Sequence, residues 1–264
     1  MTDEKLRVER RGGVSVIRID DPATMNAMTG AMARGLRALL RREAAEAGAL
    51  VLAGGERAFC AGANLTGANL TGGLPEPGAA FDAGLTLEDD FNPLMETIRE
   101  LEVPLVTAVR GAAAGVGASL ALAGDIVVAG RSAYVLEAFA RIGLVPDGGA
   151  AWLLTRAVGR IRAMEMMLLA EKIPAPQAFD WGLITRLVED AAVEETALEL
   201  AARLAAGPAL ALGLIRKAAW AAADSGFLET LRRERRLQRQ AGSHPDFAEG
   251  VAAFREKRSA RFRG

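Results

Sequence analysis

The chain has 264 residues, about half of them hydrophobic and a quarter charged, which suffices for one large domain or a domain with an appendage. Its formal net charge of -1 argues against a general attraction to nucleic acid, and no run of about 18 apolar residues predicts a membrane span. The single cysteine excludes an internal disulfide, and one histidine without a cysteine cluster argues against a metal site. Residues 1–11 lack the apolar core of a signal peptide, so we expect a cytoplasmic protein without a metal or redox cofactor.

The first half of the chain alternates between strand and helix patterns. Runs of apolar residues bounded by turn residues predict strands at residues 6–10, 14–19, 49–53, 105–109 and 125–129. Apolar residues at helical spacing predict helices at residues 30–47, 91–101 and 118–123. The first two strands flank Gly12-Gly13 and predict a hairpin, and the later alternation predicts parallel βαβ units. Residues 66–90, rich in Gly, Pro and small residues, predict a long loop of the kind that often serves a function.

After about residue 190 the sequence becomes almost entirely helical. Apolar periodicity predicts helices at residues 193–206, 208–223, 227–240 and 245–254. We therefore predict two parts, an α/β body at residues 1–190 and a helical part at residues 191–264. Leu198, Ala201 and Leu204 form an apolar stripe, which fits either core packing or a subunit contact.

Two turns of small residues are candidates for binding an oxygen anion. Ala61-Gly62-Ala63 follows a buried strand, and Gly115-Val116-Gly117 opens a helix, whose first amides lack an intrahelical partner. Two such N–H groups converging on one oxygen would form an oxyanion hole, while close packing of helix on sheet is the alternative interpretation. A dinucleotide-binding motif is excluded because Leu120 stands at the third glycine position and the next acid, Asp125, is too near.

Five segments, in order, resemble the crotonase (enoyl-CoA hydratase/isomerase) superfamily over nearly the whole chain. They are RAFCAGANL at 57–65, VTAVRGAAAGVGASLALAGD at 106–125, IGLVPDGG at 142–149, AFDWGLI at 178–184 and FREKR at 254–258. Asn64 replaces the aspartate that is common in the first segment, and the third segment is most similar to the branch of ring 1,2-epoxyphenylacetyl-CoA isomerase. The resemblance implies a crotonase-like ββα spiral core with a C-terminal helical trimerisation region. It also implies an acyl-CoA substrate, with coenzyme A present only as part of the thioester, and a homotrimer or a dimer of trimers.

The same resemblance implies roles for individual residues. The oxyanion amides would be those of Ala63 and Val116, and valine is acceptable at this place if its φ is negative. Lys257 would reach the CoA phosphates of a neighbouring subunit. The residues that would lie along the coenzyme are Asn26, Ala27, Ala61, Asn64 and Leu65.

The candidate acid and base groups favour isomerisation over hydration. The two glutamates of hydratases fall on Ser119 and Phe139 here, and neither can act as a carboxylate. Asp147 remains, and one carboxylate suffices to move a double bond if it removes a proton at one carbon and returns it at another. Without the resemblance, Asp147 would be interpreted as a turn residue or a helix cap. Glu137 ranks second, as a group that lines the pocket or as a strand-edge residue.

We therefore expect an enzyme that stabilises a thioester enolate and isomerises an enoyl-CoA by means of a single aspartate. The alternatives are an enoyl-CoA hydratase with an unusual acid–base set, and a non-catalytic member that binds CoA or RNA. Cys60 is interpreted as a buried hydrophobic residue and His244 as part of a helix N-terminus. Phe139 and Trp152 are expected to shape the acyl pocket, and residues 88–90 to be solvated acids.

Overall fold

The computed structural model describes residues 4–65 and 82–262. The strands of this part are β1 (Leu6–Arg11), β2 (Val14–Ile19), β3 (Ala49–Ala53), β4 (Ala58–Cys60), β5 (Leu105–Val109), β6 (Ala112–Ala114), β7 (Ile126–Gly130), β8 (Tyr134–Leu136), β9 (Ile173–Pro174) and β10 (Arg186–Val188). The helices are α1 (Gly30–Ala44), α2 (Asn92–Glu100), α3 (Val116–Leu122), α4 (Ala150–Leu169), α5 (Ala175–Asp180), α6 (Val193–Ala205), α7 (Ala209–Ala222), α8 (Phe227–Gly242) and α9 (Pro245–Glu256). Within these ranges no single helix is long and apolar enough to span a membrane, although the bent pair Asp190–Ala205 and Ala209–Ala222 passes together by length and composition.

The larger layer is a six-stranded sheet with strand order β1-β2-β3-β5-β7-β10. β1 and β2 form the predicted antiparallel hairpin, and every later neighbour is parallel. β3 and β5 are buried at every position, as expected of parallel strands covered on both faces.

A four-stranded sheet with order β4-β6-β8-β9 forms the second layer. Each of the consecutive pairs β3 and β4, β5 and β6, and β7 and β8 contributes one strand to each sheet, and a helix follows each pair. This repeat is the ββα spiral that the sequence resemblance implies, so the expected fold class is confirmed.

The face of the large sheet that points away from α1 is covered by α6. Val193, Ala197 and Ala201 of this helix are fully buried in an apolar cluster with residues of the sheet. Leu198 and Leu204 are half-buried against the same cluster, so the apolar stripe serves core packing. The division at residues 190 and 191 stays a prediction.

A buried arginine ties the C-terminal helices to the body. Arg216 of α7 is 4% exposed; its Nε donates to Asp125 at 2.5 Å, and its other nitrogens donate to the carbonyls of Ile98 at 2.7 Å and Leu101 at 2.6 Å. It therefore both neutralises a carboxylate and satisfies the free carbonyls at the end of α2.

Three local predictions differ from the structure. α1 ends at Ala44, three residues before the predicted end. Residues 112–114, between the strand predicted at 105–109 and the helix predicted at 118–123, form strand β6, which pairs with β4 and β8. Residues 85–91 are helical, and Asp90 is buried in an ion pair with Arg34 at 2.5 Å, so this acid is not solvated. The remainder of the predicted loop, residues 66–81, lies outside the described residues.

Replacement of Arg216 by methionine should destabilise the protein by about 3–5 kcal/mol, because it removes one partner of a buried ion pair and leaves carbonyl groups unsatisfied. Urea unfolding curves measure this difference. Lys217→Met, which changes an exposed charge on the same helix, is the control and should stay within about 0.5 kcal/mol of the parent. Equal stability of both variants would contradict the anchoring role.

Candidate active site

The first candidate turn is held by backbone hydrogen bonds that leave one amide unused. Gly62 follows β4 with φ 106°, a conformation that suits glycine. The Met28 N–H donates to the Gly62 carbonyl at 2.8 Å, and the Asn64 N–H donates to the Met28 carbonyl at 2.9 Å. Both hydrogen bonds are made by Gly62 and Asn64, the neighbours of Ala63, so the Ala63 N–H does not take part in them.

The second turn has the same construction. Gly115 has φ 52°, and its N–H donates to the Leu136 carbonyl at 2.9 Å. Val116 is the first residue of α3 and is not among the residues with positive φ, so the condition for a valine at this place is met. As the first helical residue it has no intrahelical acceptor for its N–H.

The two turns lie in contact because glycines occupy the points of approach. A β-carbon on Gly117 would lie 2.2 Å from the Cys60 carbonyl oxygen, and one on Gly62 would lie 4.0 Å from the Gly115 Cα. The end of β4 and the start of α3 thus meet backbone to backbone. This is the arrangement in which two amides can serve one oxygen.

Asp147 lies in a loop that is fastened to the same helix. The Ser119 hydroxyl donates to the Asp147 carbonyl at 3.0 Å, and a β-carbon on Gly148 would lie 3.0 Å from side-chain carbons of Ser119 and Val116. α4 begins after Gly149 without a side-chain cap, so Asp147 is not the helix cap. Its Oδ1 is buried and has no hydrogen-bond partner among the described residues, and burial raises the pKa of this carboxyl to about 6.

Glu137 is a fully buried carboxyl group close enough to Asp147 to feel its charge. It follows β8, is 1% exposed, and neither carboxyl oxygen has a hydrogen-bond partner among the described residues. Burial, and after it the charge of Asp147, raises the pKa of Glu137 to about 8. Glu137 thus lies directly at the end of β8 and is enclosed, and its place in the pocket stays a prediction.

The aromatic residues expected around the pocket divide between two places. Phe139 is 7% exposed, and its ring lies 3.4 Å from where a Gly115 β-carbon would be, so it covers the second turn. Trp152 faces α7 instead, stacked on Trp220 with ring centroids 5.2 Å apart, and its Nε1 donates to Asp224 at 2.8 Å. A second indole and a carboxylate hold it there.

The residues predicted to lie along the coenzyme fall into three groups. Ala61 begins the first turn, and Asn64 and the 52% exposed Leu65 follow it. Ala27 precedes Met28, whose backbone pairs with that turn. The Asn26 side chain is engaged internally: its amide nitrogen donates to the Ala58 carbonyl at 2.9 Å and its oxygen accepts from the Asp21 N–H at 2.7 Å. Lys257 is the C-cap residue that follows α9, and this helix packs on α8. The coenzyme contacts of all these residues stay predictions.

Cys60 and His244 are placed as predicted. Cys60 is fully buried, and burial raises the pKa of its thiol to about 11, so it is an inert core residue. His244 is the N-cap of α9 and its Nδ1 accepts from the Asp246 N–H at 3.3 Å.

Replacement of Gly117 by alanine should destabilise the protein by about 1–3 kcal/mol, since its methyl group would overlap the Cys60 carbonyl and neither backbone can move freely. Chemical unfolding measures the loss. Gly226→Ala is the matched control, because Gly226 has φ -73° and open space around it. A Gly117→Ala variant as stable as this control would show that the contact is not tight.

Asp147→Asn should be more stable than the parent at about pH 7.5, by up to about 3 kcal/mol, because the folded chain no longer confines a charge. The folded pKa of about 6 lies above the unfolded value of 3.8, so the destabilisation by this carboxyl group grows as pH rises between these values and is complete above about 6. The difference in unfolding free energy between the variant and the parent should therefore become smaller as pH falls from about 7.5 to 5. Thermal unfolding across this range measures it, and a pH-independent difference would contradict the assignment.

Comparison with known proteins identifies the family. A model of the family described as enoyl-CoA hydratase/isomerase matches residues 9–264. A "Probable enoyl-CoA hydratase" of Rhodobacter capsulatus is 43% identical, with 100% of each chain covered, and "1,2-epoxyphenylacetyl-CoA isomerase" of Escherichia coli is 41% identical, with 96% of this chain and 95% of that protein covered. The crystal structure of an enoyl-CoA hydratase from Polaromonas sp. JS666 superposes with a TM-score of 0.90 at 30% identity, covering 98% of this chain and 99% of that one. The chain therefore belongs to the enoyl-CoA hydratase/isomerase family, whose enzymes act on acyl-CoA.

Proposed function

We propose that the protein isomerises an enoyl-CoA by moving its double bond, with Asp147 as the base. The observation that carries this proposal is the Asp147 carboxyl group, whose Oδ1 is buried without a hydrogen-bond partner among the described residues, in a loop fastened to the start of α3. A half-buried carboxylate with one oxygen that lacks both water and a donor is a stronger base than one in solution. With a pKa of about 6 it is still mostly ionised at neutral pH.

The reaction then needs few groups. Asp147 removes a proton from the acyl chain, and the electron pair moves to the thioester oxygen. The N–H groups of Ala63 and Val116 donate to this oxygen, and each such donor typically contributes about 3 kcal/mol of transition-state stabilisation. Return of a proton at a different carbon completes the shift of the double bond. The family positions of the hydratase glutamates hold Ser119 and Phe139, which supports isomerisation over addition of water.

Two further features belong to the proposal. Coenzyme A would enter only as part of the thioester, with no other cofactor. The chains would assemble as trimers or dimers of trimers, with Lys257 reaching the CoA of a neighbour. Phe227 and Phe254, which are 76% and 86% exposed in the isolated chain, support an interface on α8 and α9.

One observation favours hydration as the second candidate. Two neighbouring carboxyl groups are present, Glu137 fully buried and Asp147 half-buried, and hydration requires an acid and a base. The relative from Rhodobacter capsulatus also carries the name of a hydratase. A member that only binds CoA or RNA would be recognised by the absence of turnover and by a salt-dependent shift of RNA mobility.

Incubation with 2-enoyl-CoA and 3-enoyl-CoA thioesters of several chain lengths, followed by mass spectrometry, tests the proposed function. We expect migration of the double bond without gain of a water molecule. Asp147→Asn should lower kcat by about 10²–10⁴-fold, because the base is lost, while binding of a saturated acyl-CoA in calorimetry stays within a few-fold.

Asp180→Asn is the control, since it removes an exposed carboxylate of α5, and it should keep the parent activity. An active Asp147→Asn variant would overturn the assignment of the base. Products that contain an added water would replace the isomerase by the hydratase.

A further inference from the structure

Burial of Glu137 at its position is unfavourable to the free energy of folding. A carboxyl group that is 1% exposed and has no hydrogen-bond partner among the described residues loses its hydration without compensation. An apolar side chain of similar length would fill the same space without this cost. Packing alone therefore does not account for a glutamate here.

We infer that Glu137 is the acid of the reaction, which delivers a proton to the acyl chain after Asp147 has removed one from another carbon. This inference rests on the proposed function and adds a second catalytic residue to it. Its position differs from that of the second hydratase glutamate, which Phe139 occupies, so the acid is supplied two residues earlier in the chain.

The backbone brings Glu137 to the reacting region. Its preceding residue, Leu136, accepts the hydrogen bond from the Gly115 N–H at 2.9 Å, so the end of β8 is bonded to the second oxyanion turn. Phe139, two residues later, covers the same turn. The Asp147 loop is fastened to α3, which begins at that turn. The two carboxyl groups therefore approach the region of the thioester from separate segments.

The two groups differ in protonation as an acid and a base must. Burial raises the pKa of Asp147 to about 6 and, together with the Asp147 charge, raises the pKa of Glu137 to about 8. Between these values Asp147 is ionised and Glu137 carries its proton. Among the described residues, the charge that raises the pKa of Glu137 is that of Asp147.

The proton balance closes without another reactant. A C–H bond of the acyl chain breaks, its proton binds the Asp147 carboxylate, and its electron pair forms the enolate. The thioester carbonyl reforms as the electron pair binds the Glu137 proton at the other carbon. Asp147 then holds a proton and Glu137 is ionised, and transfer between them, directly or through a water molecule, restores the starting state.

Glu137→Gln tests the inference, because glutamine keeps the size and neutrality of the protonated glutamate and cannot give up a proton. In the parent, activity should rise as pH increases through about 6 and fall as it increases through about 8. The variant should lose about 10²-fold or more in kcat, keep the rise and lose the fall, and bind a saturated acyl-CoA unchanged.

Heavy water gives an independent readout. The Glu137 proton exchanges with solvent before each turnover, so the parent should place solvent deuterium on the accepting carbon. In Glu137→Gln the residual reaction returns the hydrogen that Asp147 removed, and deuterium incorporation should drop. Glu165→Gln, on the exposed face of α4, is the control and should match the parent in both measurements.

The outcomes separate the two proposals. If Asp147→Asn is inactive while Glu137→Gln keeps the parent kcat, pH profile and deuterium content, the inference fails and the proposed function stands. If Asp147→Asn is fully active, the proposed function fails first. Should Glu137→Gln not fold, Glu137→Asp takes its place, because aspartate keeps an acid group. The inference is supported if the activity of this variant still falls at high pH, and it is contradicted if that fall is absent.

Discussion

The contact between the backbone of α3 and the end of β4 determines the geometry of the whole site. Gly117 lies against the Cys60 carbonyl so closely that a side chain has no room, and this places the turns of Ala63 and Val116 side by side. α3 then serves as the common support, since Ser119 fastens the Asp147 loop to it. Asp147 and the two turns are thus positioned relative to one short helix, so a shift of that helix would change the distance between the Asp147 loop and both turns.

The carboxyl groups that lie away from solvent in this protein differ in whether hydrogen-bond donors surround them, and their pKa values shift in opposite directions. Glu43 is fully buried but accepts hydrogen bonds from Arg10, Arg42 and Ser15, which lower its pKa to about 2 despite its burial. Glu137 is enclosed and neither of its oxygens has a donor among the described residues, whereas Asp147 is half-buried and only its Oδ1 lacks one, and the pKa values of both rise. The fold is able to pair its buried charges, so two unpaired ones next to each other mark a functional region.

The fold was predictable from the sequence where the signal is local. Hairpin and helix patterns depend on neighbouring residues, and the family segments add their order along the chain. β6 was missed because Ala112–Ala114 has weak strand propensity and becomes a strand only by pairing with β4 and β8. The clamp between Ser119 and Asp147 joins residues 28 positions apart, and the enclosure of Glu137 depends on several segments, so no local pattern indicates either.

Ser119 and Phe139, where the family resemblance places the glutamates of hydratases, contact the Asp147 loop and the second turn respectively. The hydroxyl of Ser119 is short enough to donate to the Asp147 carbonyl, whereas a glutamate there would add a third carboxyl group to an enclosed space that already holds Glu137. Like charges in such a space raise each other's pKa, so a further carboxyl group near Asp147 would favour the protonated form of Asp147. The ring of Phe139 lies over Gly115, so an apolar group and not a carboxyl group covers the second turn. A serine and a phenylalanine at these two places, with Asp147 and Glu137 as the neighbouring carboxyl groups, support the proposed movement of a proton along an acyl chain over the addition of water.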